Sequence, residues 1–206
     1  MDTMRRRPAT DIPGPLEVLV ASGVTTGPPV EAAVTDGQWL VYDPAGRTRT
    51  GTLTAEGVVF AQRHFTLDQL WGDHVALGDG RMAFQRGELL TVGEVRPDGS
   101  WADLRDNHQA PLTHRIVAVA PDMLISYLVR SGPQGYVGVA IIGRIGADGA
   151  WTQLSEPYLW DFWTHIVPVQ DGLVLFYNSY TRLAATGRVT GDGGFADLRN
   201  HPGFDP

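Results

Sequence analysis

Four tandem copies of one β-rich unit, a glycine-containing turn at the same place in each, and 25 glycines with 14 prolines in 206 residues predict an all-β fold. Four-stranded units of this length in tandem are the signature of propeller blades. The expected architecture is therefore a small β-propeller of four four-stranded blades, five if a further strand joins the ring. So much turn chemistry without low complexity favours many short strands over long helices.

The clearest element of the repeat is a glycine followed by an acidic-Gly turn and an aromatic. It reads GEVRPDGSWADL at 93–104, GRIGADGAWTQL at 143–154 and GRVTGDGGFADL at 187–198, with a weaker first copy, GTLTAEGVVFAQ, at 51–62. The acidic-Gly pair marks a hairpin turn, because such turns need a residue that accepts positive φ. Two residues beyond the turn glycine stand Val59, Trp101, Trp151 and Phe195.

A second element precedes each of these: VEAAVTDGQWLVYD from Val30, DHVALGDGRMAFQR from Asp73, RIVAVAPDMLISYL from Arg115 and HIVPVQDGLVLFYN from His165. Aligned on the turn, one column holds Ala33, Ala76, Ala118 and Pro168, and another holds Tyr42, Gln85, Tyr127 and Tyr177. Small residues on the first strand of each unit suit a place where strands crowd around an axis. Apolar residues on both strand faces suit blades packed between neighbours.

The glycine anchors 51, 93, 143 and 187 lie 42, 50 and 44 residues apart. The long interval has its cause in RSGPQGY at 130–136, which is expected to protrude as a loop. Domain organisation follows: a flexible arm over 1–14, then one propeller over 15–206 with repeats near 30–70, 71–112, 113–162 and 163–206. The strand LEVLV at 16–20 is the candidate for closing the ring or for entering a fifth blade.

Composition excludes several classes. A net charge of −7 gives no basic surplus to displace phosphate counterions, so nucleic acid is not an expected partner. Cysteine is absent, which removes disulfides, thiol catalysis and cysteine zinc sites. Arg5, Arg6 and Arg7 resemble a signal n-region, but the apolar run from Leu16 to Ala21 is interrupted by Glu17 and too short. No stretch is long enough to span a bilayer. A soluble, cytoplasmic protein that does not engage membranes is expected, and no feature specifies an oligomeric state.

Candidate site residues come from two places. Trp160, Asp161 and Trp163, with His165 close behind, can stack a sugar ring and hydrogen-bond its hydroxyls, or can form a core contact between blades. Asp73, Arg115 and His165 share the column that opens three successive first strands. They can form an acid, cation and imidazole rim that binds a polar ligand or does acid–base work, or can be a solvated rim. Tyr42, Tyr127 and Tyr177 can line related pockets or pack between blades. His74, His114 and His165 invite a metal site, but His74 and His114 fall one residue to either side of the His165 column. Adjacent strand residues face opposite ways, so no metal and no cofactor is expected. Phosphate-loop, G-x-S-x-G, H-E-x-x-H and EF-hand motifs are missing.

The run WTHIVPVQDGLVLFY from Trp163 to Tyr177, completed by steps such as Gly149-Ala150-Trp151, resembles the short-blade propellers of the tachylectin-2 type. That resemblance covers about 175 residues. It implies five blades and sugar binding in pockets between them, whereas this chain carries four copies. Two functional readings follow. One is a lectin-like protein holding a carbohydrate or other small polar ligand in aromatic pockets. The other is a cofactor-free cyclase or isomerase of specialised metabolism, with Trp160, Trp163, His165 and Arg115 around its substrate.

Overall fold

The computed structural model describes residues 31–35, 37–42, 47–54, 59–66, 73–110, 115–132 and 135–202. The arm, LEVLV, Val30 and His114 lie outside them. Among the described residues every regular element is a strand, and the strands follow the repeat. β1 (Glu31–Thr35), β2 (Gln38–Tyr42), β3 (Arg47–Leu53) and β4 (Val59–Thr66) form one sheet in sequence order. β5 (Asp73–Ala76), β6 (Arg81–Arg86), β7 (Leu89–Val95) and β8 (Trp101–Gln109) form the second. The third contains β9 (Arg115–Ala120), β10 (Met123–Gly132), β11 (Gly135–Ile145) and β12 (Trp151–Gln153), with β13 (Tyr158–Asp161) also paired to β11. β14 (His165–Pro168), β15 (Leu173–Asn178), β16 (Leu183–Val189) and β17 (Phe195–His201) make the fourth.

The predicted columns are register positions. Asp73 pairs with Gln85, Arg115 with Tyr127 and His165 with Tyr177. In the first sheet the partner of Tyr42 is Glu31, one residue after Val30. A two-residue connection separates β1 from β2, which shifts the register. The third sheet also turns in two residues, but a bulge between Met123 and Leu124 restores it.

The chain divides by contact into two compact units, one of residues 1–70 with 95–102 and the other of 71–94 with 103–206. In the first, Trp39, Leu40 and Val41 are buried on β2, and the buried Thr50 hydroxyl donates to the Gly99 carbonyl. In the second, two apolar cores lie between successive sheets. One joins Leu90 and Val92 to Ile116, Leu124 and Ile145. The other joins Ile125, Tyr127 and Ile142 to Val174, Phe176 and Ala185. Strict alternation along β15 places Val174, Phe176 and Asn178 in the buried rank.

The glycine-to-aromatic spacing has a packing cause. A Cβ on Gly143 would overlap the Trp151 ring, and one on Gly187 would overlap the Phe195 ring. Gly143 and Gly187 are thus the floors on which the aromatics of the next strands lie. The acidic-Gly turns of the second, third and fourth copies are equally uniform. Asp98, Asp148 and Asp192 each accept the backbone N–H two residues on, from Ser100, Ala150 and Gly194. The glycine between them takes φ of +77°, +77° and +85°. An acid that caps its own turn, followed by a residue free to adopt positive φ, is what the local backbone requires.

Those caps make a pH prediction. Hydrogen bonds, first from the Thr190 hydroxyl and then from the Gly194 N–H, hold the Asp192 carboxyl below its ordinary 3.8. Such a group contributes stability above pH 3.8, and loses it as pH falls through the lower folded value. Melting curves should therefore shift down in this acid range, and Asp192→Ala should make that fall shallower.

Within the segment 130–136, residues 130–132 and 135–136 are paired strand, not irregular loop. They lengthen the β10–β11 hairpin through the pairs Arg130–Val137, Ser131–Tyr136 and Gly132–Gly135. Gly135 sits at φ +119°. The extra described residues thus extend two strands.

Candidate functional site

First strands of the three sheets in the second unit lie side by side, β9 touching both β5 and β14. The column residues Ala76, Ala118 and Pro168 line an open cleft there of about 390 Å³. Their small side chains leave room where three strands converge. Val75, Val117 and Ile166 give the cleft an apolar wall, and Asp73 and Arg115 supply its charge.

Asp73 is tied down at both oxygens. Oδ1 accepts the His74 N–H at 3.0 Å and Oδ2 accepts the Ile116 N–H at 2.8 Å, joining β5 to β9. Burial raises its carboxyl pKa, against the pull of these bonds and of His74 and Arg115. Each carboxylate oxygen has a second lone pair for a ligand donor. Arg115 is exposed, and its Nη1 donates to the Thr164 carbonyl at 2.9 Å. That bond fixes one edge of a guanidinium that carries five N–H donors.

His165, the third residue of the predicted rim, does not line this cleft. Its ring lies 5.8 Å from that of Tyr177, and Nδ1 is 2.8 Å from the Thr164 hydroxyl. The structure thus brings Asp73 and Arg115 together and leaves His165 outside. His74 stacks on Phe84 at 6.2 Å. Tyr42 is placed by its register on β2.

Trp160 lies at the centre of an aromatic cluster. Its ring stacks on Tyr158 and Tyr127, meets Phe176 edge-on at 5.0 Å and tilts against Phe195 at 4.7 Å. Trp163 tilts against Phe176 at 5.6 Å. Tyr127 accepts the Trp163 N–H at 2.7 Å and donates to the Asp161 carbonyl at 3.1 Å. Burial raises its phenol pKa. These rings join the third sheet to the fourth, and the Asp161 side chain is exposed.

Sequence reasoning did not single out a second open cleft of about 340 Å³, lined by Ser155, Glu156, Tyr158 and the turn at Asp192 to Gly194. Its signal was the acidic-Gly turn itself, which sets a carboxylate against the preceding sheet. It also passed over the exposed rings of Tyr136 and Tyr180, which follow no repeat. Among the described residues no group of three His, Cys, Asp or Glu is placed to hold a metal ion. No described helix is long and apolar enough to cross a membrane.

No protein-family model matches the chain, and no curated protein does. Solved structures do match. A functionally unknown protein from Desulfotomaculum acetoxidans aligns with a TM-score of 0.57 at 12% identity, over 85% of this chain and 56% of its own. A protein from Lactobacillus plantarum aligns at 0.53 and 12%, over 83% and 54%. Kluyvelomyces marxianus Hsv2 aligns at 0.51 and 11%, over 82% and 51%. The chain thus spans about half the length of these structures. Such identities speak to fold alone. With β-propeller-like neighbours and antiparallel sheets repeated along the chain, the fold is all-β and of the β-propeller class.

Proposed function

We propose that this is a non-catalytic, ligand-binding β-propeller that holds a carbohydrate or other small polar ligand in the cleft between Asp73 and Arg115. The observation that carries the reading is the pairing of one acceptor and one cation on the wall of an otherwise apolar cleft. Small-molecule sites commonly combine an apolar lining with a few placed polar groups. A ligand offering a donor to Asp73 and a carboxylate or hydroxyl to Arg115 fits that arrangement, and a sugar acid offers both. The Asp73–Arg115 cleft is open rather than enclosed, which suits reversible binding. The likeness to tachylectin-2 type repeats supports a sugar as the ligand class.

Thermal shift across a panel of sugars, sugar acids and amino acids tests the reading. At least one member should raise the melting temperature of the native protein, and Arg115→Ala should abolish the shift. A panel without any shift, or a shift that survives in Arg115→Ala, would count against the site.

The enzymatic reading draws on Asp73, whose carboxyl pKa burial raises at the wall of the cleft. A carboxylate of raised basicity suits a general base in a cofactor-free cyclase or isomerase. On that reading Asp73→Asn removes turnover of a converted substrate and leaves its binding in place.

A further inference from the structure

We propose that Tyr136, Phe162 and Tyr180 form a carbohydrate-stacking platform, separate from the Asp73–Arg115 cleft, that takes a β-linked glucan. Tyr136 is 67% exposed and Tyr180 80% exposed. The Tyr136 ring lies 5.7 Å from that of Phe162, which in turn stacks on Tyr180 at 5.9 Å. Scattered exposed apolar residues are ordinary, whereas a contiguous run of aromatic faces marks a binding surface.

The fold does not demand these rings. Tyr136 comes from the hairpin extension that the other repeats lack. Tyr180 comes from the β15–β16 connection, where the second sheet makes the equivalent turn with Gly87 and Glu88. The aromatics that do repeat, Trp151 and Phe195, are instead packed on anchor glycines.

The platform is held in shape before any ligand arrives. Asn178, only 6% exposed, donates from Nδ2 to the Phe162 carbonyl at 2.6 Å. Its Oδ1 accepts the N–H groups of Tyr180 at 2.9 Å and Thr181 at 3.2 Å. One buried amide therefore fixes the Phe162 backbone and the Tyr180 turn relative to each other. Preorganisation of this kind lowers the ordering cost of binding.

Size and chemistry select the ligand. Each ring buries at most roughly 150–250 Å². Three partly packed rings fall short of the roughly 800 Å² that each partner contributes to a standard protein interface, but match a few sugar rings. The platform is apolar on its faces and carries phenol hydroxyls at its edges, with Ser131 directly across the hairpin from Tyr136. Glucopyranose with equatorial hydroxyls presents axial C–H groups to an aromatic face and its hydroxyls to the rim. A β-linked chain repeats that face along its length.

Affinity electrophoresis in native gels containing hydroxyethyl cellulose, with a dextran gel as the α-linked comparison, tests the proposal. The native protein should be retarded by the β-glucan. Tyr180→Ala and Tyr136→Ala should each weaken that retardation by about tenfold or more, since each removes a stacking face. Tyr180→Phe should retain it, and so should Arg115→Ala, which alters the other cleft. The alanine variants alter exposed side chains, and unchanged melting temperatures will confirm that they fold. Absence of retardation, retardation by dextran alone, or equal retardation of native protein and Tyr180→Ala would overturn the proposal. Loss of self-association in Tyr180→Ala without any glucan effect would overturn it in favour of a contact between copies.

Discussion

Replacing Trp160 by alanine should destabilise the protein by about 3 kcal/mol, which lowers the melting temperature by roughly 6–12 °C for a chain of this size. The ring touches Tyr127, Tyr158, Phe176 and Phe195, so its loss opens a cavity between the third sheet and the fourth. Partial collapse of that space sets the lower end of the range. Trp160→Phe should recover much of the loss by refilling part of the cavity. Thermal melts of the two variants against the native protein check the expectation. The same pair separates packing from ligand contact: a role confined to stacking a bound sugar would leave the ligand-free melting temperature unchanged.

Gly187→Ala carries the second large effect, a destabilisation of about 2 kcal/mol from forced overpacking. The added methyl meets the Phe195 ring, which must leave its place against Trp160 and Phe176. Because the two residues touch, their effects should couple. Gly187→Ala combined with Phe195→Leu should lose less than the sum of the two single changes. Denaturant titrations of the four proteins measure that coupling, and simple additivity would refute the contact.

These two substitutions also mark what the sequence could and could not disclose. The spacing from Gly143 to Trp151 and from Gly187 to Phe195 was visible because one contact within each unit recurs in successive units. The acidic-Gly turns were visible for the same reason, since Asp98, Asp148 and Asp192 close the same backbone bond. The column of Asp73, Arg115 and His165 was correct as register in three sheets. Position along a strand does not decide which side chains meet, however, and His165 turns to Tyr177 while Asp73 and Arg115 border the cleft. The extra residues at 130–136 were legible as an insertion, but their pairing as a ribbon was not, because a short glycine-rich stretch carries little strand signal. Tyr136 and Tyr180 were hard to single out because neither belongs to a repeated position. The glycine–aromatic contacts that repetition explains are structural, whereas the Asp73–Arg115 cleft is built on repeated columns and the Tyr136, Phe162 and Tyr180 rings on none.

Asp73 illustrates how one residue can serve both ends. Its carboxylate bridges β5 to β9 through the Ile116 N–H, and it stands on the cleft wall beside Arg115. Burial of a charged group is costly unless it is paired and hydrogen-bonded; two backbone donors and a neighbouring guanidinium offset part of that cost here, and the carboxyl pKa stays raised. A ligand donor placed on the second lone pairs would add to the same arrangement without rebuilding it.

The most direct test of the binding account is a backbone amide NMR titration with a sugar acid, glucuronate, as probe. The account predicts that shifts concentrate on His74 and Ile116, whose amides donate to Asp73, and on Ile166, which lines the cleft, and that they vanish in Arg115→Ala. Saturable shifts confined to other surfaces, with these three residues unmoved, would contradict it.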